Sequence, residues 1–250
     1  MNHVFRPSHR LRQGRQALAL LLSLAFVLPL PAQDEPTPAA REALPPVLLI
    51  GDSISLGYTP FVQELMAKEA AVRHHPGNAQ HTGTGLRKLD DWLGDTDWAV
   101  IHFNWGLWDL CYRHPESKEQ GRRDKESGTL TTPLDRYREN LSQLVERLKD
   151  TGATLIWAET TYVPPGEAGR KLGDELRYNA VAREVMEEKG IAINELNALT
   201  RSFTPDLFAG PGDVHYTPAG SRKLARQVTK AIREGLAERT PKESAQEATR

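Results

Sequence analysis

The sequence has 250 residues, 39% of them hydrophobic and 26% charged, with a net charge of −1 and one cysteine. This is the balance of a globular chain with one core. It excludes a disordered polymer, a scaffold held by internal disulfides and a polycation drawn to nucleic acid by charge. Arg6, His9, Arg10, Arg12 and Arg15 precede an apolar run over 17–30, after which Ala32 leads into Gln33, Asp34 and Glu35. Those are the three parts of a secretory signal peptide, so residues 1–32 are expected to be removed and the mature chain to be secreted or periplasmic. The run is shorter than the about 20 apolar residues of a membrane span, which speaks against a retained anchor, and no cysteine follows it to carry a lipid. Residues 33–45, rich in Pro, Ala and Glu, are expected as a flexible linker, 46–240 as the folded domain and 241–250 as a disordered tail.

Val47, Leu48, Leu49 and Ile50 form a continuous apolar run ended by Gly51, which predicts a strand buried on both faces. Phe61, Val62 and Leu65 predict a helix over 59–68. The alternation continues with a helix through Leu86, Leu89, Trp92 and Leu93, a strand over 98–103 and a helix over 134–149. A strand over 154–158, a helix over 174–189, a short strand over 191–193 and a closing helix over 218–236 complete it. Such alternation predicts an α/β fold, a three-layer α/β/α sandwich with a central parallel sheet, binding ligands at the carboxyl ends of its strands. Two stretches break the rhythm: the charged segment 113–132 and the segment 163–173 with its Pro and Gly residues. Each follows a strand end and reads either as the rim or lid of a pocket or as a solvated insertion. Cys111 is expected as a small buried side chain rather than a reactive thiol.

Gly51-Asp52-Ser53-Ile54 places a serine at the carboxyl edge of the first strand and close to a helix N-terminus, where backbone N–H groups can stabilise an oxyanion. Ser53 there is either a nucleophile or a helix cap. Its candidate base is His215, in Gly212-Asp213-Val214-His215-Tyr216-Thr217-Pro218. If that segment is extended, Asp213 and His215 point to the same side, so the acid can hold the imidazole tautomer that a base requires.

In this order, Gly51-Asp52-Ser53-Ile54 with Gly57, Asn78-Ala79-Gln80-His81-Thr82-Gly83, and Asp213-Val214-His215 with Thr217-Pro218 and Gly220 resemble the sequence blocks of the SGNH (GDSL-like) hydrolases. The resemblance covers nearly everything after Pro46. It implies a flavodoxin-like sheet, a serine esterase without cofactor, and an oxyanion hole built from the N–H groups of Ser53 and Gly83. Two departures stand out. The family's third block reads Gly-x-Asn-Asp, whereas this chain has Asn104-Trp105-Gly106-Leu107-Trp108-Asp109. Matching the strand end makes Asn104 the third oxyanion donor, the favoured choice; matching Gly106 and Asp109 makes it Trp108. The family's acid stands three residues before the histidine, which here is Gly212, so Asp213, Asp206 or a dyad without an acid remain open.

Trp105, Trp108 and Asp109 are candidates for the substrate pocket, with a core position as the alternative for Trp108. The expected substrate is a small-molecule or carbohydrate ester, with short acyl groups favoured; nucleic acid and stable membrane insertion are not expected. No metal is expected, because His74, His75, His81 and His102 lack ligand spacing, and Gly83 and Gly85 do not form a dinucleotide fingerprint. A noncatalytic carbohydrate-binding protein on the same fold is the competing reading, carried by Trp92, Trp105, Trp108 and Tyr112. A flavodoxin-like nucleotide-binding module is a third, opposed by the lack of a phosphate-cradling loop after the first strand.

Overall fold

The computed structural model describes residues 44–247. The expected signal peptide, and all but the last two residues of the expected linker, lie outside the described residues. Strand β1 (Pro46–Ile50) is buried from Val47 to Ile50, as a continuous apolar run demands in a sheet covered on both faces. Each such side chain removed from water stabilises the fold by roughly 1.5–3 kcal/mol.

Helix α1 (Ser53–Leu65) begins six residues before the start the apolar spacing marks. Proline suits the first turn of a helix, whereas Pro60 stands well inside this one. In the structure Pro60 is exposed inside the helix, and Leu56, whose carbonyl loses its i+4 partner, faces solvent as well. Water can satisfy that carbonyl, so the proline is tolerated. Strand β2 (Ala71–His74) carries no apolar run, since only Val72 of its residues is fully buried. It is an edge strand, and this one buries too little to announce itself by composition.

Helix α2 (Thr82–Leu93) and strand β3 (Val100–Phe103) follow. The charged segment then forms a small antiparallel ribbon, β4 (Tyr112–Arg113) with β5 (Thr129–Leu130). Helix α3 (Leu134–Lys149), strand β6 (Thr154–Ala158), helix α4 (Asp174–Lys189), strand β7 (Ala192–Asn194) and helix α5 (Leu196–Arg201) continue the alternation. Helix α6 (Pro218–Glu247) extends beyond the expected end at 236 and into the stretch expected as a tail.

The five main strands are parallel in the order β2-β1-β3-β6-β7. Helices α1 and α6 pack together, α2, α3 and α4 pack in series, and the sheet lies between these two layers. The chain leaves β1 toward β2 on one side and later returns to place β3 on the other. Crossovers diverge there, opening a crevice at the carboxyl end of β1. Ser53 stands three residues beyond Ile50 at that crevice.

Candidate active site

Asp52 caps α1: its Oδ1 accepts the Ile54 N–H at 2.9 Å. The capping role weighed for Ser53 thus belongs to its neighbour, and the Ser53 hydroxyl is available for chemistry. As the first residue of α1, Ser53 also has a backbone N–H with no acceptor inside the helix, at the positive end of the helix dipole. Its Oγ lies 2.8 Å from His215 Nε2.

His215 arrives on the loop before α6, with its Nδ1 2.6 Å from Asp213 Oδ1. The same carboxylate oxygen accepts the His215 backbone N–H at 2.9 Å. An Nδ1–H donated to Asp213 leaves the Nε2 lone pair facing the Ser53 hydroxyl, the tautomer of a general base. Burial works to raise the Asp213 carboxyl, but the backbone and ring bonds from His215 outweigh it and hold the group below its ordinary value. Asp206 is exposed in a short 3-10 turn, Pro205–Leu207. Gly212, at the family's acid position, has φ of +68°, and a Cβ there would lie 2.7 Å from the Gly166 backbone carbonyl. No side chain fits where the 163–173 segment crosses the histidine loop, which accounts for an acid two residues before His215 instead of three.

Ser53 and His215 open on a cavity of about 380 Å³, also lined by Asp52, Asn78, Leu107 and Trp108. The structure brings Trp108, and not Asn104, to this wall. Asn104 instead donates from Nδ2 to the Ala158 carbonyl at 2.7 Å and lines a smaller neighbouring cavity with Ser55 and Tyr58. Its place at the end of β3 turns the amide toward β6. Trp105, expected at the pocket, is a core residue only 1% exposed and packed over Gly85. Asp109 is likewise fully buried and accepts the Thr82 N–H and hydroxyl, the latter at 2.6 Å, which braces the loop after β3 against the start of α2. Burial pushes the Asp109 carboxyl up to about 7, against those donors.

Gly83 sits in the first turn of α2, where a Cβ would meet the His81 ring at 2.9 Å, and it does not line the cavity. From the same block, Asn78 does. Its Oδ1 accepts the Gln80 N–H at 2.8 Å, which orients the amide, while Gln80 holds a left-handed φ of +53°. Backbone strain of this kind costs roughly 1–3 kcal/mol and clusters at functional sites. Asn78, Asp52, Arg113, Arg123 and Arg170 are among the cavity residues to which the sequence assigned no role. A signal existed for the arginines, since all three lie in the two stretches that interrupt the strand–helix rhythm. Among the described residues, no group of three His, Cys, Asp or Glu side chains is placed to hold a metal.

No family model matches the chain, and no curated protein matches it in sequence. Solved structures do match in fold. An acetyl xylan esterase superposes with a TM-score of 0.61 at 14% identity, covering 75% of this chain and 99% of that one. A lipase/acylhydrolase from Enterococcus faecalis gives 0.62 at 18% identity, over 76% of this chain and 95% of its own. A GDSL-like lipase from Bacteroides thetaiotaomicron gives 0.56 at 13% identity, over 77% and 88%. With its sheet order, its Ser53–His215–Asp213 arrangement and these neighbours, the chain has the fold of the SGNH (GDSL-like) hydrolases.

Proposed function

We propose that this protein is a serine esterase that hydrolyses carboxylic esters through an acyl-Ser53 intermediate. The observation that carries the reading is the chain of two short hydrogen bonds, Ser53 Oγ to His215 Nε2 at 2.8 Å and His215 Nδ1 to Asp213 at 2.6 Å. His215 takes the Ser53 proton as Oγ attacks the ester carbonyl, and Asp213 stabilises the imidazolium. The tetrahedral intermediate collapses with cleavage of the ester C–O bond, and Nε2 returns the proton to the departing alcohol. Water then attacks the acyl-serine, giving one proton to His215. Release of the acid regenerates the Ser53 hydroxyl. The Ser53 N–H and the oriented Asn78 amide are assigned to the oxyanion, with the Trp108 indole N–H as a further donor.

A cavity of about 380 Å³ suits a short acyl group with part of its alcohol, and one fold neighbour is an acetyl xylan esterase. Both support short-chain esters on carbohydrate. The noncatalytic sugar-binding reading loses its platforms: Trp105 is buried, Trp92 packs on His75, and cations cover the faces of Trp108 and Tyr112. The test is reaction of the purified protein with a fluorophosphonate and peptide mapping. A Ser53 adduct that is lost in His215→Ala is expected; a folded protein that takes no label refutes the proposal.

A further inference from the structure

The Ser53 cavity carries more positive charge than its own carboxylates balance. Arg113, Arg123 and Arg170 all line it. Two of the three are satisfied internally. Glu167, fully buried, accepts from Arg123 Nη1 at 2.8 Å and from Arg170 Nη1 at 2.9 Å, and Arg170 Nε donates to the Leu107 carbonyl at 2.6 Å. Asp52 is the only carboxylate among the lining residues, and its Oδ1 is engaged by the Ile54 N–H.

Arg113 is different. Its Nη1 donates to the Gly121 carbonyl and its guanidinium lies 4.5 Å from the centre of the Trp108 ring, but no described carboxylate forms an ion pair with it. The indole packs against the guanidinium. Gly121, with φ of +64°, leaves the space it needs, since a Cβ there would come within 2.9 Å of Nη1. A half-buried guanidinium at a cavity wall, with no carboxylate in ion-pair contact and Glu167 acting on it only from a distance, is a site prepared for an anion. A fork of parallel N–H donors matches a carboxylate best.

Building on the esterase reading above, we propose that the substrate carries a carboxylate on its alcohol portion, as an acylated acidic sugar does, and that Arg113 receives it. Trp108 thereby serves two purposes: it borders the reacting centre and clamps the residue that selects the substrate. Arg123 and Arg170, tied to Glu167, add field without offering a free fork.

The test compares 4-acetoxybenzoate with its neutral methyl ester, each kcat/KM divided by that ester's own hydroxide-catalysed rate to remove leaving-group differences. A charge-assisted hydrogen bond predicts a preference of about ten- to hundred-fold for the anionic ester. That preference should shrink as NaCl is raised and fall to about one in Arg113→Gln, while Arg113→Lys keeps part of it; circular dichroism and thermal melting confirm folding of each variant. 4-Acetoxybenzenesulfonate serves as the tetrahedral-anion control and is expected to be the poorer substrate. Turnover of both benzoate esters without preference, a preference unchanged in folded Arg113→Gln, or a stronger preference for the sulfonate overturns the carboxylate inference while leaving the esterase intact. Failure to turn over any of the three esters, together with no fluorophosphonate adduct at Ser53, overturns the esterase reading and this inference with it.

Discussion

Replacing Asp213 by Asn and by Ala separates two things the carboxylate does. One oxygen, Oδ1, accepts both the His215 backbone N–H at 2.9 Å and the ring Nδ1–H at 2.6 Å. An amide oxygen in the same position accepts both as well, so Asp213→Asn keeps the loop and the tautomer and loses only the charge. Two unit charges about 4 Å apart interact by about 1 kcal/mol in water and about 4 kcal/mol at an effective dielectric of 20. The Asp213 side chain is 40% exposed, so solvent screening places its effect on the imidazolium near the middle, about 2 kcal/mol or roughly 30-fold in kcat/KM. Asp213→Ala removes both bonds as well as the charge. With a further 1–2 kcal/mol for ring orientation, its loss is expected at several hundred-fold. Initial rates with 4-nitrophenyl acetate at pH 8 measure both. A loss of about 10⁴-fold in Asp213→Asn, exceeding that of Asp213→Ala, means the amide nitrogen faces the ring and forces the wrong tautomer, which refutes the single-oxygen argument. Near-wild-type rates in both variants remove Asp213 from the mechanism.

Other perturbations test other parts of the structure. Asn78→Ala is expected to lower kcat about 100-fold without lowering the melting temperature, as loss of one oxyanion donor does, and an unchanged kcat removes Asn78 from the oxyanion hole. Gly212→Ala forces a Cβ to within 2.7 Å of the Gly166 carbonyl at a φ of +68°, so urea unfolding should show a loss of at least about 1–3 kcal/mol. Full stability in that variant means the two loops part easily. His102 is fully buried in β3, and burial pushes it down to about 4 from the ordinary 6.5. Its neutral form therefore stabilises the fold fully above pH 6.5, and that stability is lost as pH falls toward 4. His102→Gln, which keeps an acceptor for the Asn194 amide, should reduce the fall in unfolding free energy between pH 7 and pH 5 by about 2 kcal/mol. An identical fall in both proteins contradicts a neutral buried His102.

The strand–helix order was legible because each central strand is buried on both faces and each long helix on one, so burial writes itself into the spacing of apolar residues. Strand β2 and the β4–β5 ribbon escaped, since edge pairing depends on backbone hydrogen bonds that any composition can make. The start of α1 escaped for another reason: whether Pro60 breaks a helix depends on which way Leu56 faces, and only packing decides that. Ser53 and His215 were found from short local motifs, because a strand-to-helix turn and a histidine beside an acid need few neighbouring residues.

The sequence by itself determined the parallel sheet and singled out Ser53 and His215, which the structure brings within 2.8 Å of each other, since these follow from local periodicity and local turns. Tertiary structure alone decided which side chains reach the cavity. Asn104 and Trp108 are both amide- or indole-bearing residues within one short segment, yet one is claimed by the Ala158 carbonyl and the other stands at the wall with Arg113. Gly212 is barred from being an acid by a segment more than forty residues away, and the charge excess around Arg113 exists only because Glu167 is committed to two other arginines. Such outcomes depend on contacts between segments distant in the chain, and no spacing within a single segment records them.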